Sequence, residues 1–324
     1  MRSAGIRIPR WVSIVLVIAT LGLVVWLIAR DRPSFDMLGN IDPVDIVIIM
    51  VLQVLYLIPE SYRQKIVIES SSHTSIRSFQ WFRIFIVGRF LNTLVPQSGN
   101  VYRALRLRND LGIALSDFGG GMAAFVIMSV VASLFVAAPF LALQTPSPTV
   151  NDVPVWLLLV VAGIVLAATP FLIWFVVRDR PTDQGDRSSI LDTARQVVTA
   201  TMTALSDLRL MSAFVVVWLA TLTVVVALYT VVFSTIGWNL GIGEAIAIYA
   251  LLQASSFIVL TPGNLGIQEL GFAALAAVFG IPAAIGVIAA ALIRVTGWIA
   301  VAVPAALFGS SDIVRYFRSE AADK

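Results

Sequence analysis

The residues able to do chemistry in this chain are few, and most of them stand in apolar surroundings. Glu269, Arg294 and Arg89 each sit in a stretch with almost no other charge, and Asp117 opens another. A guanidinium or carboxylate at mid-bilayer costs about 2.5–3.5 kcal/mol on insertion scales, so it normally faces a cavity or a partner. An ion pair between Glu269 and Arg294 would lower both costs. Arg89 has as candidate partners a phosphate or Asp117, with snorkelling to the interface as the plain alternative. Glu269 with Asp117 is the one carboxylate set that acid–base chemistry could use. With no Cys and a single His, His73, the 324 residues hold no disulfide, thiolate metal site, cysteine nucleophile or multi-histidine centre. His73 lies in a Ser-rich stretch where solvation is its simplest role. No metal and no cofactor are expected.

Two polar interruptions break otherwise apolar runs. The first is Pro96-Gln97-Ser98-Gly99-Asn100, followed by a basic segment with Arg103, Arg106 and Arg108. The second is Pro262-Gly263-Asn264-Leu265-Gly266, with Glu269 shortly after it. Irregular backbone at membrane depth survives only inside protein or beside a wet cavity. The free N–H groups and positive dipole end of a half-helix suit an anion such as a lipid phosphate. Ser98, Asn100 and Asn264 are the candidates for capping these ends or donating to a ligand. The plainer alternative is that each Pro-Gly pair forms a tight interhelical turn. A matched pair of breaks in corresponding positions points instead to a transporter-type repeat.

The elements that must carry these residues follow from composition. Hydrophobic residues make up 59% of the chain and charged ones 13%, with a mean hydropathy of +0.92. A soluble domain holds about 25% charged residues. The excess is gathered into runs long enough to span about 30 Å of hydrocarbon. The spans expected are Trp11–Ala29, Val44–Pro59, Phe118–Leu141, Val155–Val177, Met211–Ile236 and Ala283–Leu307. Arg2, Arg7 and Arg10 before the first give it the look of a signal peptide. Its length, and the lack of a cleavage site at Ala29-Arg30-Asp31-Arg32, favour an uncleaved helix. A polar segment, Glu60–Gln80, precedes the shorter apolar run Trp81–Val95. Gly119-Gly120-Gly121 reads as a close-packing helix surface rather than a phosphate loop, because no strand precedes it. The connector Arg178–Arg209 has apolar residues at helical spacing. It suits equally an amphipathic helix on the membrane surface and a helix packed on the bundle.

Most of the 22 Lys and Arg residues fall in loops that would share one side, which places both termini in the cytoplasm. The expected fold is therefore an all-α polytopic membrane protein, one integral domain over residues 1–324. It has about six full transmembrane helices and two broken re-entrant hairpins in an inverted repeat, with halves at about 44–141 and 211–307. The formal charge of +3 is too small to imply nucleic-acid binding.

At the two breaks the sequence resembles the lysylphosphatidylglycerol-synthase transmembrane region, a flippase-like family. That family typically shows Pro-x-x-Gly-acid/amide-x-x-Arg in its first half, here Pro96 to Arg103. The second half shows Pro-Gly-Gly-x-Gly-x-x-Glu and a later Arg, here Pro262 to Glu269 with Arg294. Asn264 stands where the family usually has Gly, and Phe118–Val136 lacks a Glu-Arg pair common there. The resemblance runs from about Trp11 to Gly309. It implies movement of lipid across the cell membrane, with membrane lipids as ligands. Taken with the reading of the breaks and the buried charges, the candidate substrate-binding residues are Arg89, Ser98, Gly99, Asn100, Arg103, Gly263, Asn264, Glu269 and Arg294. Pro96, Pro262 and Gly266 are the structural breaks. With Lys324 so soon after the last span, no soluble synthase domain is expected. Two rival readings remain: a non-transporting partner of a lipid-synthesis enzyme, and an intramembrane lipid-modifying enzyme.

Overall fold

A computed structural model describes residues 41–95, 97–143, 149–150, 152–178, 188–255 and 267–322, with Gly22 and Gly39. The expected first span, Trp11–Ala29, lies outside the described residues save for Gly22. So do Pro96 and the second break, Pro262, Gly263, Asn264 and Gly266.

Ten α-helices make up almost all of the described chain, five of them long and apolar enough to cross a membrane. In chain order they are α1 (Pro43–Ser72), α2 (Ser78–Leu94), α3 (Ser98–Leu111), α4 (Leu115–Ala142) and α5 (Val155–Arg178). Then come α6 (Ser188–Ser206), α7 (Leu208–Thr235), α8 (Ile242–Ser255), α9 (Ile267–Val278) and α10 (Ala283–Ala322). A two-residue antiparallel pair, β1 (Thr149–Val150) with β2 (Val153–Pro154), closes the loop before α5. The chain is an all-α polytopic membrane protein. Its outward faces agree: Val47, Val51, Val54 and Ile58 of α1 and Val161, Val165 and Leu172 of α5 are exposed. Water would not tolerate such continuous apolar faces, whereas acyl chains do.

Helix starts follow local chemistry. Asp42 caps α1 by accepting from Val44 N (2.8 Å), and Pro43 occupies the first turn, where a missing N–H costs nothing. Asp207 caps α7 by accepting from Arg209 N (2.9 Å) and Leu210 N (3.1 Å).

Two units share one layout, each with a long helix, two short ones and a second long helix: α1 to α4, and α7 to α10. The units interlock reciprocally. Helix α1 packs along α7, α4 packs on α8 of the other unit, and α10 packs on α2. A large core joins α1, α4, α7, α8, α9 and α10 through residues such as Ile49, Phe125, Phe214, Trp218 and Phe233.

The structure corrects one boundary. The span expected to end at Pro59 continues to Ser72, so α1 is a 30-residue helix with Pro59 inside it. Proline removes one i→i−4 hydrogen bond but does not stop a helix whose flanks are packed. The residues read as a polar connector are in fact interior: Glu60, Ser61, Arg63 and Gln64 are all buried. His73 does sit at the exposed end of α1, in a left-handed conformation (φ 50°).

The connector helix α6 packs on the bundle, which decides between the two readings the sequence left level. Ala200, Thr201 and Ala204 are buried against α4, and Thr201 Oγ1 donates to Gly120 O (3.2 Å). Gly120 permits this approach, since a Cβ there would lie 2.8 Å from Val197 O and collide with Ala200. A Cβ on Gly119 would meet only Val197 Cγ2 at 3.6 Å. Gly120→Ala is therefore expected to destabilise the detergent-purified protein by about 1–3 kcal/mol, the usual cost of overpacking. Gly119→Ala should stay within about 0.5 kcal/mol of the parent. Unfolding followed by tryptophan fluorescence checks both, and equal effects would discard this account of the α4–α6 seam.

Candidate functional site: a cationic chamber inside the bundle

Because α1 stays helical past Pro59, residues three and four apart fall on one face. Gln53, Tyr56, Glu60 and Gln64 form such a row, and all four line a chamber of about 400 Å³. Helix α2 adds Arg89 and Asn92, and α3 adds Asn100 and Arg103. The second unit supplies Tyr229 from α7, Tyr249 and Gln253 from α8, and Gln268 from α9. Aliphatic and aromatic side chains of α4, among them Phe125, complete the wall.

The charges are distributed unevenly. Arg63, fully buried, ion-pairs with Glu60, and its guanidinium lies 5.4 Å from the Phe125 ring centre and 5.6 Å from that of Phe214. Arg103 is held by neutral oxygens alone. It donates to Gly99 O (3.3 Å), to Gln64 Oε1 and to Asn100 Oδ1, and its guanidinium lies 5.9 Å from the Phe85 ring centre. Arg89 lies over Tyr56, 5.7 Å from the ring centre. Among the described residues, no carboxylate comes within ion-pair distance of Arg89 or Arg103. The expected alternative, Arg89 with Asp117, does not form. Asp117 lies in the first turn of α4, where its backbone carbonyl accepts from Ser71 Oγ (3.1 Å). The chamber thus holds two cations beyond its one neutral pair, in a setting where unpaired charge is costly.

The first break is built differently from the expectation of open N–H groups. Gln97 starts α3 in a left-handed conformation (φ 64°), and the first four N–H groups are already taken. Ser98 N donates to Val95 O (3.3 Å), Gly99 N to Asn92 Oδ1 (2.7 Å), and Asn100 N and Val101 N both to Gln97 O (3.1 Å each). Ser98 is not a cap: its hydroxyl donates back to Leu91 O (2.9 Å) and Val95 O (2.8 Å). Gly99 lies so close to α2 that a Cβ would overlap the Gly88 carbonyl. The break is a closed turn, and the positive groups facing the chamber are side chains. Asn100 acts by accepting from Arg103.

The expected pair in the second unit forms. Arg294 Nε meets Glu269 Oε1 at 2.6 Å and its Nη2 donates to Oε2 at 3.0 Å, with both side chains nearly buried. This two-point contact fastens α9 to α10. Gln268 Oε1 also accepts from Arg294 (3.3 Å), and Gln53 Nε2 donates to Ile293 O (2.9 Å), tying α10 to α1.

The family model for the lysylphosphatidylglycerol synthase transmembrane region matches residues 10–305. The chain belongs to that family. Membership ties this multi-pass membrane protein to lipid metabolism or transport, and the matched stretch takes in every helix that lines the chamber. No curated protein and no solved structure matches the chain.

Sequence reasoning missed Tyr56, Glu60, Arg63, Gln64 and Asn92. The signal was present in the 3- and 4-residue spacing of Gln53, Tyr56, Glu60 and Gln64. It was hidden because Pro59 and the polarity after it read as a helix end. The Glu60–Arg63 pair has a direct consequence. Removing one partner of a buried pair typically costs about 3–5 kcal/mol, because the other charge stays buried. Arg63→Met should lower stability by that amount, and adding Glu60→Gln should restore most of it. Thermal unfolding of the single and double variants in detergent checks this, and additive losses would contradict it.

Proposed function

We propose that this protein is a flippase-like transporter that carries the anionic headgroup of a phospholipid or lipid-linked sugar across the cytoplasmic membrane. In this reading both termini are cytoplasmic and the two units are related by inversion. The chamber is the place where the headgroup leaves the aqueous phase. One observation carries the proposal: among the described residues, Arg89 and Arg103 face a chamber inside the bundle with no carboxylate at ion-pair distance. A phosphate there would supply the missing countercharge through charge-assisted hydrogen bonds. Glu269 and Arg294 hold the second unit's short helix in place, and Ser98, Gly99 and Asn100 set the position of Arg103. Gly263 and Asn264, at the second break, are proposed from the sequence motif as further headgroup contacts.

An enzymatic reading finds less support, because the two carboxylates it needs serve elsewhere. Glu269 is engaged by Arg294, and Asp117 heads α4 away from the lining of the chamber. We therefore assign no catalytic step.

The test is headgroup movement by purified protein in liposomes, read by reagent access to labelled phosphatidylglycerol, phosphatidylcholine and a polyprenyl phosphate. Arg89→Gln and Arg103→Gln are each expected to slow movement of the anionic lipids at least tenfold. That corresponds to about 1.4 kcal/mol or more of lost interaction. Glu269→Gln and Arg294→Ala should do the same while leaving folded protein in the membrane. Parental rates in both of the first two variants would refute the assignment.

A further inference from the structure

A second cavity, about 260 Å³, adjoins the chamber and opens between α1, α2 and α10. The two share Gln53, Tyr56, Arg89, Asn92, Gln268 and Ile293 in their walls, so only side chains lie between them. Beyond the shared residues its lining is Leu57, Thr93, Arg294, Gly297, Trp298, Ala300 and Val301. We propose that this side vestibule is the seat of a phospholipid's glycerol and upper acyl chains, and the route by which its headgroup reaches the chamber from within the bilayer. The proposal rests on the transport reading above and adds to it the path and the class of ligand, an amphiphile rather than a free anion.

Four observations support it. First, the lining is amphipathic: the residues shared with the chamber are mostly polar, Arg89 among them, and those the second cavity has alone are mostly apolar, as Leu57, Trp298, Ala300 and Val301 are. Second, the neighbouring surface is a lipid-facing one. Val54 and Ile58 of α1, Leu94 of α2, and Val295 and Ile299 of α10 are exposed apolar residues around the opening. Third, its depth is that of acyl chains. Gly297 lies midway along the 27-residue apolar span Ala283–Gly309. At 1.5 Å per residue that is about 20 Å from the start of α10. Gln53 lies similarly deep in α1, so the opening is far from either aqueous end. Fourth, the throat is kept wide by a missing side chain. A Cβ on Gly297 would already touch the Gln53 amide, at 3.5–3.7 Å, so any larger residue there would cover the passage.

The absence of cysteine makes the test clean. Thr93→Cys and Trp298→Cys place one thiol on each side of the vestibule, and a bismaleimide can bridge them. In liposomes, the bridged double variant is expected to move labelled phosphatidylglycerol at least tenfold more slowly than the same variant unbridged. An unchanged rate in protein shown by mass to be bridged would overturn the vestibule while leaving the transport reading standing. If the parent protein moves no lipid, the transport reading fails, and a second measurement decides the vestibule by itself. Phosphatidylglycerol with a diazirine on its acyl chain should then photolabel residues 293–301, and glycerol phosphate in excess should not prevent it. Labelling only elsewhere would overturn the proposal. So would labelling abolished by glycerol phosphate, which would mark the site as one for free anions.

Discussion

Everything in this bundle is arranged around charge that lipid cannot solvate. The row from Gln53 to Gln64 on α1 places amide, phenol, carboxylate and guanidinium groups inside a membrane protein, where no water shell is at hand to stabilise them. Each group therefore needs a partner: Glu60 finds Arg63 and Gln64 on its own helix, and others find theirs on neighbouring helices, which fixes how those helices pack. Arg103 must come close enough to reach Gln64, which sets α3 against α1. Asn92 must reach Gly99 N, which sets α2 against α3. The Gly88–Gly99 contact exists because these bonds leave no room for a side chain between the two helices.

The same constraint explains why the positive charge facing the chamber resides in side chains. A half-helix end with open N–H groups is a ready anion site in principle, but an open end is costly in lipid whenever the ligand is absent. Here the turn satisfies its own N–H groups, through Asn92 and the carbonyls of Val95 and Gln97. Guanidinium groups are better suited to waiting. Arg103 rests on three neutral oxygens and an aromatic face, and Arg89 on Tyr56, contacts that stabilise each cation without cancelling its charge. Neutral acceptors can give way to a phosphate more easily than a carboxylate can, since no ion pair has to be broken.

This also shows what was legible in the sequence. Long apolar runs gave the spans α4, α5, α7 and α10, because hydropathy over about 20 residues is a strong signal. The Glu269–Arg294 pair was legible because two opposite charges stood alone in apolar surroundings. Polarity itself misled where α1 passes from lipid-facing to interior. A run such as Glu60-Ser61-Tyr62-Arg63-Gln64-Lys65 looks like a loop when averaged, and only its helical spacing shows that Glu60 and Gln64 share the face begun by Gln53 and Tyr56. The position of α6 was open for a similar reason. An amphipathic helix announces an apolar face, but not whether lipid or protein covers it. Gly120 opposite Ala200 is a tertiary fact that no local pattern contains.

The two units share a layout but not a chemistry. The charged groups of the chamber, Glu60, Arg89 and Arg103, all come from the first unit, with Arg63 behind them. The second contributes phenols and amides, Tyr229, Tyr249, Gln253 and Gln268. Its own buried charges, Glu269 and Arg294, neutralise each other at the α9–α10 contact. Electrostatics explains this division. Two equivalent sets of bare cations facing one chamber would repel each other strongly at low dielectric. One set of cations facing one neutral polar wall avoids that repulsion and leaves the net positive charge on one side of the chamber. The reciprocal packing of α4 on α8 and α10 on α2 makes each wall depend on a helix of the opposite unit.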